Sequence, residues 1–355
     1  MKKFNAIGIN IYGGGFTLGV MKHFNVKGQW EEITLGKDTW DINFGKMGIP
    51  RPLRIDDWPI EQFSGKVDFV YANPPCVPWS MANMRAGYTN DKRFFDPRLD
   101  LTKHTFDVAL RLNPTVFISE SVENAYNIGF KYYKEFIPSF IEKDYAITIF
   151  LTDAVLHGLP SVRRRFHFCA HKIALSFVKP DMVTFRPTTV RMAIADLEGN
   201  KEISQNEIHY ENAKKYNEIM QQTKPGKTLA QTFEKIKDKY TGFHGSFLNK
   251  RLFWDSPANT IVGLDYFVHP ECHRFTTWRE GLRLMSFPDT FKAVRGNEAA
   301  DSVTPLMGNY LSEMVKKALL KNKPSDKKLS IIDWRPLGKP YGVAAMIKKS
   351  KEETF

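Results

Sequence analysis

The sequence predicts an α/β protein, a mostly parallel sheet wrapped by helices, with a second and smaller module entering late in the chain. Three observations carry that expectation. Short apolar runs alternate with helix-period stretches through the first half, as βα units do. The strand-like runs end in Gly, Pro and Asn clusters. From about residue 198 the patterning gives way to a polar, Lys-rich stretch reaching Lys250, with 9 Lys against 6 acidic residues over 199–250.

The elements follow in order. Ala6 to Ile11 reads as the first strand and runs into Gly13-Gly14-Gly15, after which Phe16 to Phe24 has helical spacing. The next strand ends at Trp30-Glu31-Glu32. Val67 to Tyr71 is a third, followed by Asn73-Pro74-Pro75-Cys76, and Leu101 to Leu112 reads as a helix. Thr115 to Ser119 is a buried-type strand closed by Glu120, and Ala146 to Leu151 and Phe166 to Ala170 are two more. Apolar patterning returns at Leu252, and Leu311 to Leu320 reads as a closing helix. Residues 321–355, with 9 Lys and Arg against 4 acidic residues, read as a loosely packed basic tail.

Composition narrows the class. At 355 residues and 42% hydrophobic, the chain can bury a full core, which excludes disordered and fibrous classes. Its formal charge of +12 favours a polyanionic partner. Cys76, Cys169 and Cys272 are far apart and form no CxxC pair, so neither a disulfide framework nor a zinc site is expected. No apolar run is long enough to span a membrane, and a cytoplasmic, reducing location is expected.

Chemistry concentrates at strand ends, where open α/β sheets bind ligands. A strand entering Gly13-Gly14-Gly15 lets backbone approach a ligand; a tight turn without one is the alternative. Glu31, about twenty residues on, suits a ribose hydroxyl, or is a solvated surface acid. Cys76 follows a strand in a proline-stiffened loop, as a nucleophile or as a buried structural thiol. Glu120 ends a further strand, and Arg163 and Arg165 in Pro160-Ser161-Val162-Arg163-Arg164-Arg165 are candidate fixed cations. Thiol, carboxyl and guanidinium groups on one sheet edge would make a covalent-catalysis constellation.

In order and content these segments resemble the DNA cytosine-C5 methyltransferase family, from about residue 5 to 320. Gly14 to Gly19 is similar to the end of the cofactor loop FAGxGGxxLG, and Asn43-Phe44-Gly45 to the NFG that follows its acid. Pro75-Cys76 with Trp79-Ser80 resembles PCQxxS, Asp96-Pro97-Arg98 with Leu101 resembles DxRxxL, and Pro114 to Val122 resembles PxxFxxENV, which makes Glu120 and not Glu123 the family acid. Arg163 and Arg165 resemble QxRxR. Val190 to Leu197 resembles TVRDAIxDL, Arg251 to Ile261 resembles RLxWDxPxxTI, Arg279 to Asp289 resembles RExxRLxSFPD, and Gly308-Asn309 resembles the last GN. Departures are Asn10 and Tyr12 for the aromatic and first glycine of FAGxGG, Val77 for Gln, Ser121 for Asn, Ser161 for Gln, and Tyr310-Leu311-Ser312 for AVP.

The resemblance implies a Rossmann-like S-adenosylmethionine-dependent sheet in residues 1–185 and 300–321. A target-recognition domain in 186–299, with its variable part at about 199–250, and a tail at 322–355 complete it. It implies methyl transfer to C5 of a flipped cytosine in double-stranded DNA through a Cys76–C6 adduct, by a monomer of restriction-modification type. Cys76, Glu120, Arg163 and Arg165 would be catalytic. Tyr12, Gly13, Gly15, Phe16, Glu31, Asp56, Asp57, Pro75, Leu101 and Asn309 would meet S-adenosylmethionine, with no metal. Three alternatives stay open: an inactive nucleic-acid-binding or regulatory member, a C5 methylase of RNA or of a modified cytosine, and an amino-group methylase suggested by Asn73-Pro74-Pro75.

Overall fold

Apolar runs too short to make buried helices become the strands of one sheet. The computed structural model describes residues 4–31, 37–54, 57, 59–81, 90–181, 186–197, 217–234, 249–326 and 328–336. Contacts divide the chain into two units: Met1–His157 with Arg164–Pro180 and Ser302–Pro336, and Gly158–Arg163 with Asp181–Asp301 and Leu337–Phe355.

The first unit holds the sheet. Strands β1 (Phe4–Ile9), β2 (Phe24–Trp30), β3 (Phe69–Ala72), β4 (Val116–Val122), β5 (Ala146–Asp153), β6 (Arg164–His171) and β7 (Leu329–Asp333) lie in the order β2-β1-β3-β4-β6-β5-β7. β2, β1, β3 and β4 are parallel neighbours, and β6 enters antiparallel between β4 and β5. The physical reason is length. The link 154–163 is shorter than the dozen or so residues that a parallel crossover needs. At the far edge β7 pairs parallel with β5. In place of the loose tail expected from residue 322, the chain therefore adds a strand; residues 337–355 lie outside the described ones.

Helices cover both faces. α1 (Gly15–Val20), α2 (Leu99–Leu112), α3 (Phe130–Lys134), α4 (Ile137–Glu142) and α6 (Pro305–Lys321) belong to this unit, and α5 (Trp278–Leu284) to the other. α2 repeats its apolar side at Leu99, Phe106, Val108, Ala109 and Leu112, which buries that side, and Asn113 ends it in left-handed backbone at φ 49°. Phe106 meets Phe117, Phe140 and Phe168 at ring distances of 5.2, 6.1 and 5.0 Å. Removing so buried a ring costs about 3–5 kcal/mol. On the opposite face α1 lies directly on α6, because Gly19 and Gly308 leave no Cβ between them. α6 starts six residues before the sequence patterning suggested, since Thr304 caps it by accepting the Met307 N–H and Pro305 suits the first turn.

The second unit has a small apolar cluster of Ile219, Met220, Leu229 and Val268. Its organiser is polar. Buried Arg251 donates to the carbonyls of Thr223, Met220, His269 and Cys272 at 2.6, 2.6, 2.6 and 2.9 Å, satisfying loop backbone that has no strand partner. At α5, Thr277 and Glu280 form a capping box. Glu280 also takes both forks of Arg274, and Arg283 grips Asp289 in the same bidentate way. The RExxRLxSFPD-like segment thus folds its own unit. Most of 199–250 lies outside the described residues. No described helix is long and apolar enough to cross a membrane.

Candidate active site

The carboxyl ends of β1 and β2 build the first half of the site. Past β1, Asn10 and Tyr12 take left-handed backbone at φ 53° and 48°, and Gly14 follows at φ 85°. Tyr12 thus adopts the kind of conformation that favours glycine, at a cost of about 1–2 kcal/mol. Its N–H donates to Oε1 of Glu31 at 2.7 Å, a buried bond to a charged acceptor that offsets the strain. Glu31 is 1% exposed, at the end of β2. Gly13 and Phe16 are buried, Gly15 opens α1, and the Phe16 ring sits 4.8 Å from that of Tyr71. A buried carboxylate is the acceptor to which ribose hydroxyls donate, and it stands beside a turn whose left-handed backbone lets main chain come close to a ligand, so these residues fit an adenosine-bearing cofactor.

Pro75, Leu101, Asp56, Asp57 and Asn309 are the other expected cofactor contacts. Pro75 is buried and Leu101 half-buried in α2. Asp57 is exposed, with its N–H on the Arg54 carbonyl, and Asp56 lies outside the described residues. The Oδ1 of Asn309, in α6, lies 3.1 Å from Nε2 of His23, three residues past α1.

The second half stands past β3 and β4. Cys76 is half-buried, not sealed in the core. Its carbonyl accepts the N–H groups of Trp79 and Ser80 at 3.0 Å each, turning the loop back. Trp79 anchors that turn: it is fully buried, edge-on to Phe94 at 5.3 Å and against the face of Gly129. Buried Arg93 ties it further, donating to the carbonyls of Pro78 at 2.7 Å and Ser80 at 3.2 Å. No motif marks Arg93 in the sequence. Its role depends on a fold-back from beyond residues 82–89, which lie outside the described ones.

Glu120 is 3% exposed, and its Oε1 meets Nε of Arg165 at 2.6 Å. The antiparallel register explains the pair. Val122 stands opposite Arg165 and Glu120 opposite His167, which puts all four on one face of the sheet. Cys76 and Glu120 both lie within electrostatic reach of the buried Tyr133 phenol, whose pKa is raised first by burial and then by these two groups. Arg163 belongs to the other unit, where its Nη1 lies 3.7 Å from Sδ of Met285. The first unit therefore assembles Cys76, Glu120 and Arg165 on neighbouring strand ends.

Beneath that pair lies a histidine column that the sequence did not single out. Burial, helped by Arg165 and His157, pushes His167 down to about 3, and burial pushes His157 down to about 4. Both imidazoles bind protons more weakly folded than unfolded, where 6.5 applies. Stability is therefore complete above pH 6.5 and is lost as the pH falls toward those lower values, by about 2 kcal/mol from each histidine at pH 5. Urea midpoints should drop between pH 7.5 and 5, and the double variant His157→Gln/His167→Gln should show a shallower drop. Equal slopes in both proteins would overturn this account.

Comparison with known proteins agrees with the architecture. The profile of C-5 cytosine-specific DNA methylase matches residues 6–323. A Methanocaldococcus jannaschii protein provisionally named type II methyltransferase M.MJ0563P is 26% identical over 325 residues, covering 86% of this chain and 97% of the relative. Type II methyltransferase M.MthTI of Methanothermobacter thermautotrophicus is 26% identical over 330 residues, covering 88% and 94%. A crystal structure of a protein encoded within an Escherichia coli prophage superposes with a TM-score of 0.65 at 20% identity, over 90% of this chain and all of that one.

Proposed function

The chain belongs to the C-5 cytosine-specific DNA methylase family, and on that footing we propose that Cys76, Glu120 and Arg165 methylate cytosine in DNA through a covalent adduct. The observation that carries the reading is the 2.6 Å Glu120–Arg165 pair beside the strand-end loop holding a partly accessible thiol. C5 of cytosine is too weak a nucleophile to take a methyl group unaided. Addition of the Cys76 thiolate to C6 converts the ring to an enamine, with electron density moving toward N3. Glu120, oriented by Arg165, shares a proton with N3 and so stabilises that density. When bound, S-adenosylmethionine supplies the electrophilic methyl group. Once C5 carries the methyl group, a base takes the C5 proton, and the C–H electron pair re-forms the C5–C6 double bond as the C6–S bond breaks and returns the Cys76 thiolate. Tyr12, Gly13 and Glu31 would hold the cofactor's ribose.

Attack perpendicular to the ring requires a flipped base. The net charge of +12 supplies phosphate affinity, so binding weakens with salt. The second unit is the candidate for target recognition, and a monomer in the cytoplasm is the working assembly. Incubation with duplex DNA containing 5-fluorocytosine tests the reading, because fluorine at C5 blocks the final elimination. A denaturation-stable protein–DNA complex is expected, dependent on S-adenosylmethionine. Methylated adenine with no such complex would favour amino-group chemistry, and no cofactor binding in the presence of DNA would favour a non-catalytic member.

A further inference from the structure

The family profile ends at residue 323, yet the chain beyond it is built into the sheet. β7 runs level with β5 from Ile147 to Leu151, and the Trp334 N–H continues the ladder to the Leu151 carbonyl at 2.7 Å. The two residues after the strand are thereby delivered close to Thr152, which stands opposite Arg165. We propose that Trp334 and Arg335 are positioning residues for Glu120, bracing the mouth of β4 from two directions. This rests on the role given to Glu120 above.

Arg335 makes the first brace. Its Nη1 donates to Oε1 of Glu123 at 3.0 Å and to Oδ1 of Asn127 at 2.9 Å, while Nε and Nη2 hold the two oxygens of Asp333 at 3.0 and 2.7 Å. Its guanidinium also lies over Tyr126, 5.4 Å from the ring centre. Glu123 is a second carboxylate only three residues beyond Glu120, and Arg164, adjacent to Arg165, stands 3.7 Å from it. Arg164 in turn holds the Pro336 carbonyl at 3.0 Å and faces Asp153 at 3.5 Å. With Arg335 in place, Glu123 is held by cations other than Arg165, which leaves Arg165 to Glu120. Without it, Glu123, 24% exposed, keeps only the more distant Arg164 and leaves an unbalanced negative charge three residues from Glu120.

Trp334 makes the second. Its indole lies edge-on to Phe150 at 4.9 Å, and Phe150 stacks on His167 at 5.5 Å. His167 is the direct cross-strand neighbour of Glu120, is 1% exposed, and has no hydrogen-bond partner for either ring nitrogen among the described residues. Packing therefore holds this imidazole, and Trp334 backs that packing.

A displacement near 1 Å at a reacting group is enough to slow chemistry about a hundredfold. Loss of one brace with the sheet intact is expected to be milder. Single-turnover methyl transfer by the full-length chain should fall about tenfold in Arg335→Ala and in Trp334→Ala, with KM for DNA and cofactor within about twofold of wild type. Arg335→Lys should recover part of the rate. Glu123→Gln added to Arg335→Ala should recover it further, since the unbalanced carboxylate near Glu120 is gone; a structural role alone would not produce that rescue. If Arg335→Ala does not fold, Arg335→Lys and Trp334→Phe carry the same comparison through circular dichroism and single-turnover rates. Wild-type rates in folded variants, or loss that Glu123→Gln does not relieve, overturn the inference. A wild-type chain that forms no 5-fluorocytosine adduct overturns the earlier reading instead.

Discussion

Replacing Cys76 by serine is expected to abolish methyl transfer, lowering the rate by at least about a thousandfold, because an alkoxide is unavailable near neutral pH where a thiolate is not. The adduct with 5-fluorocytosine DNA should vanish with it. DNA affinity should stay within a few-fold of wild type, since the change from thiol to hydroxyl removes no positive charge and phosphate neutralisation dominates protein–DNA affinity. The loop should also survive the change. Its shape depends on the Cys76 carbonyl, on Trp79 and on Arg93, none of which uses the sulfur. Parallel measurement of affinity and turnover decides the matter. An equal loss of both, or retained turnover, would remove Cys76 from the chemistry.

Gly19→Ala is expected to be the most damaging single-methyl change in the first unit. A Cβ there would lie 2.3 Å from the Asn309 nitrogen and the Gly308 carbonyl carbon, and 2.7 Å from the Gly308 Cα. All three are backbone atoms of a long helix, so no side chain can move aside and α1 must lift from α6. Overpacking of this kind costs about 3 kcal/mol or more, a large part of the 5–15 kcal/mol that separates folded from unfolded chains. Because α1 follows directly on the Tyr12–Gly14 turn, cofactor affinity should fall as well. Gly48→Ala is the control: Gly48 has φ 68° and nothing within 4 Å of its would-be Cβ, so only backbone strain of about 1–2 kcal/mol is expected. Urea unfolding of the two variants separates steric from conformational cost. Matching midpoints would refute the close approach of the helices.

Most strands could be read in advance because central strands of such a sheet are apolar on both faces. β3, for instance, is Phe-Val-Tyr-Ala with every residue buried. β7 could not. It alternates exposed and half-buried residues at an edge, and in sequence its short Leu-Ser-Ile-Ile-Asp lies within a basic stretch of 9 Lys and Arg against 4 acidic residues over 321–355. Glu31 and Cys76 were legible for a related reason, each standing just past an apolar run where the chain leaves the sheet; Glu120, expected to close its strand, instead sits inside β4, which runs on to Val122 because β6 continues to pair with it. The contact of Asn309 with His23 was not legible, since it joins residues 286 positions apart.

Residue order alone determined the class of fold, the placement of the thiol just past a strand, and the family, because hydrophobic period and motif spacing are local properties. Only the tertiary structure decided that Arg165 faces Glu120, that Arg163 falls in the other unit, that Tyr12 bears left-handed backbone on the Glu31 carboxylate, and that Trp334 and Arg335 reach the mouth of β4. Those outcomes turn on the register of an antiparallel strand and on contacts between distant segments. A one-residue slip of β6 would send Arg165 to the opposite face of the sheet.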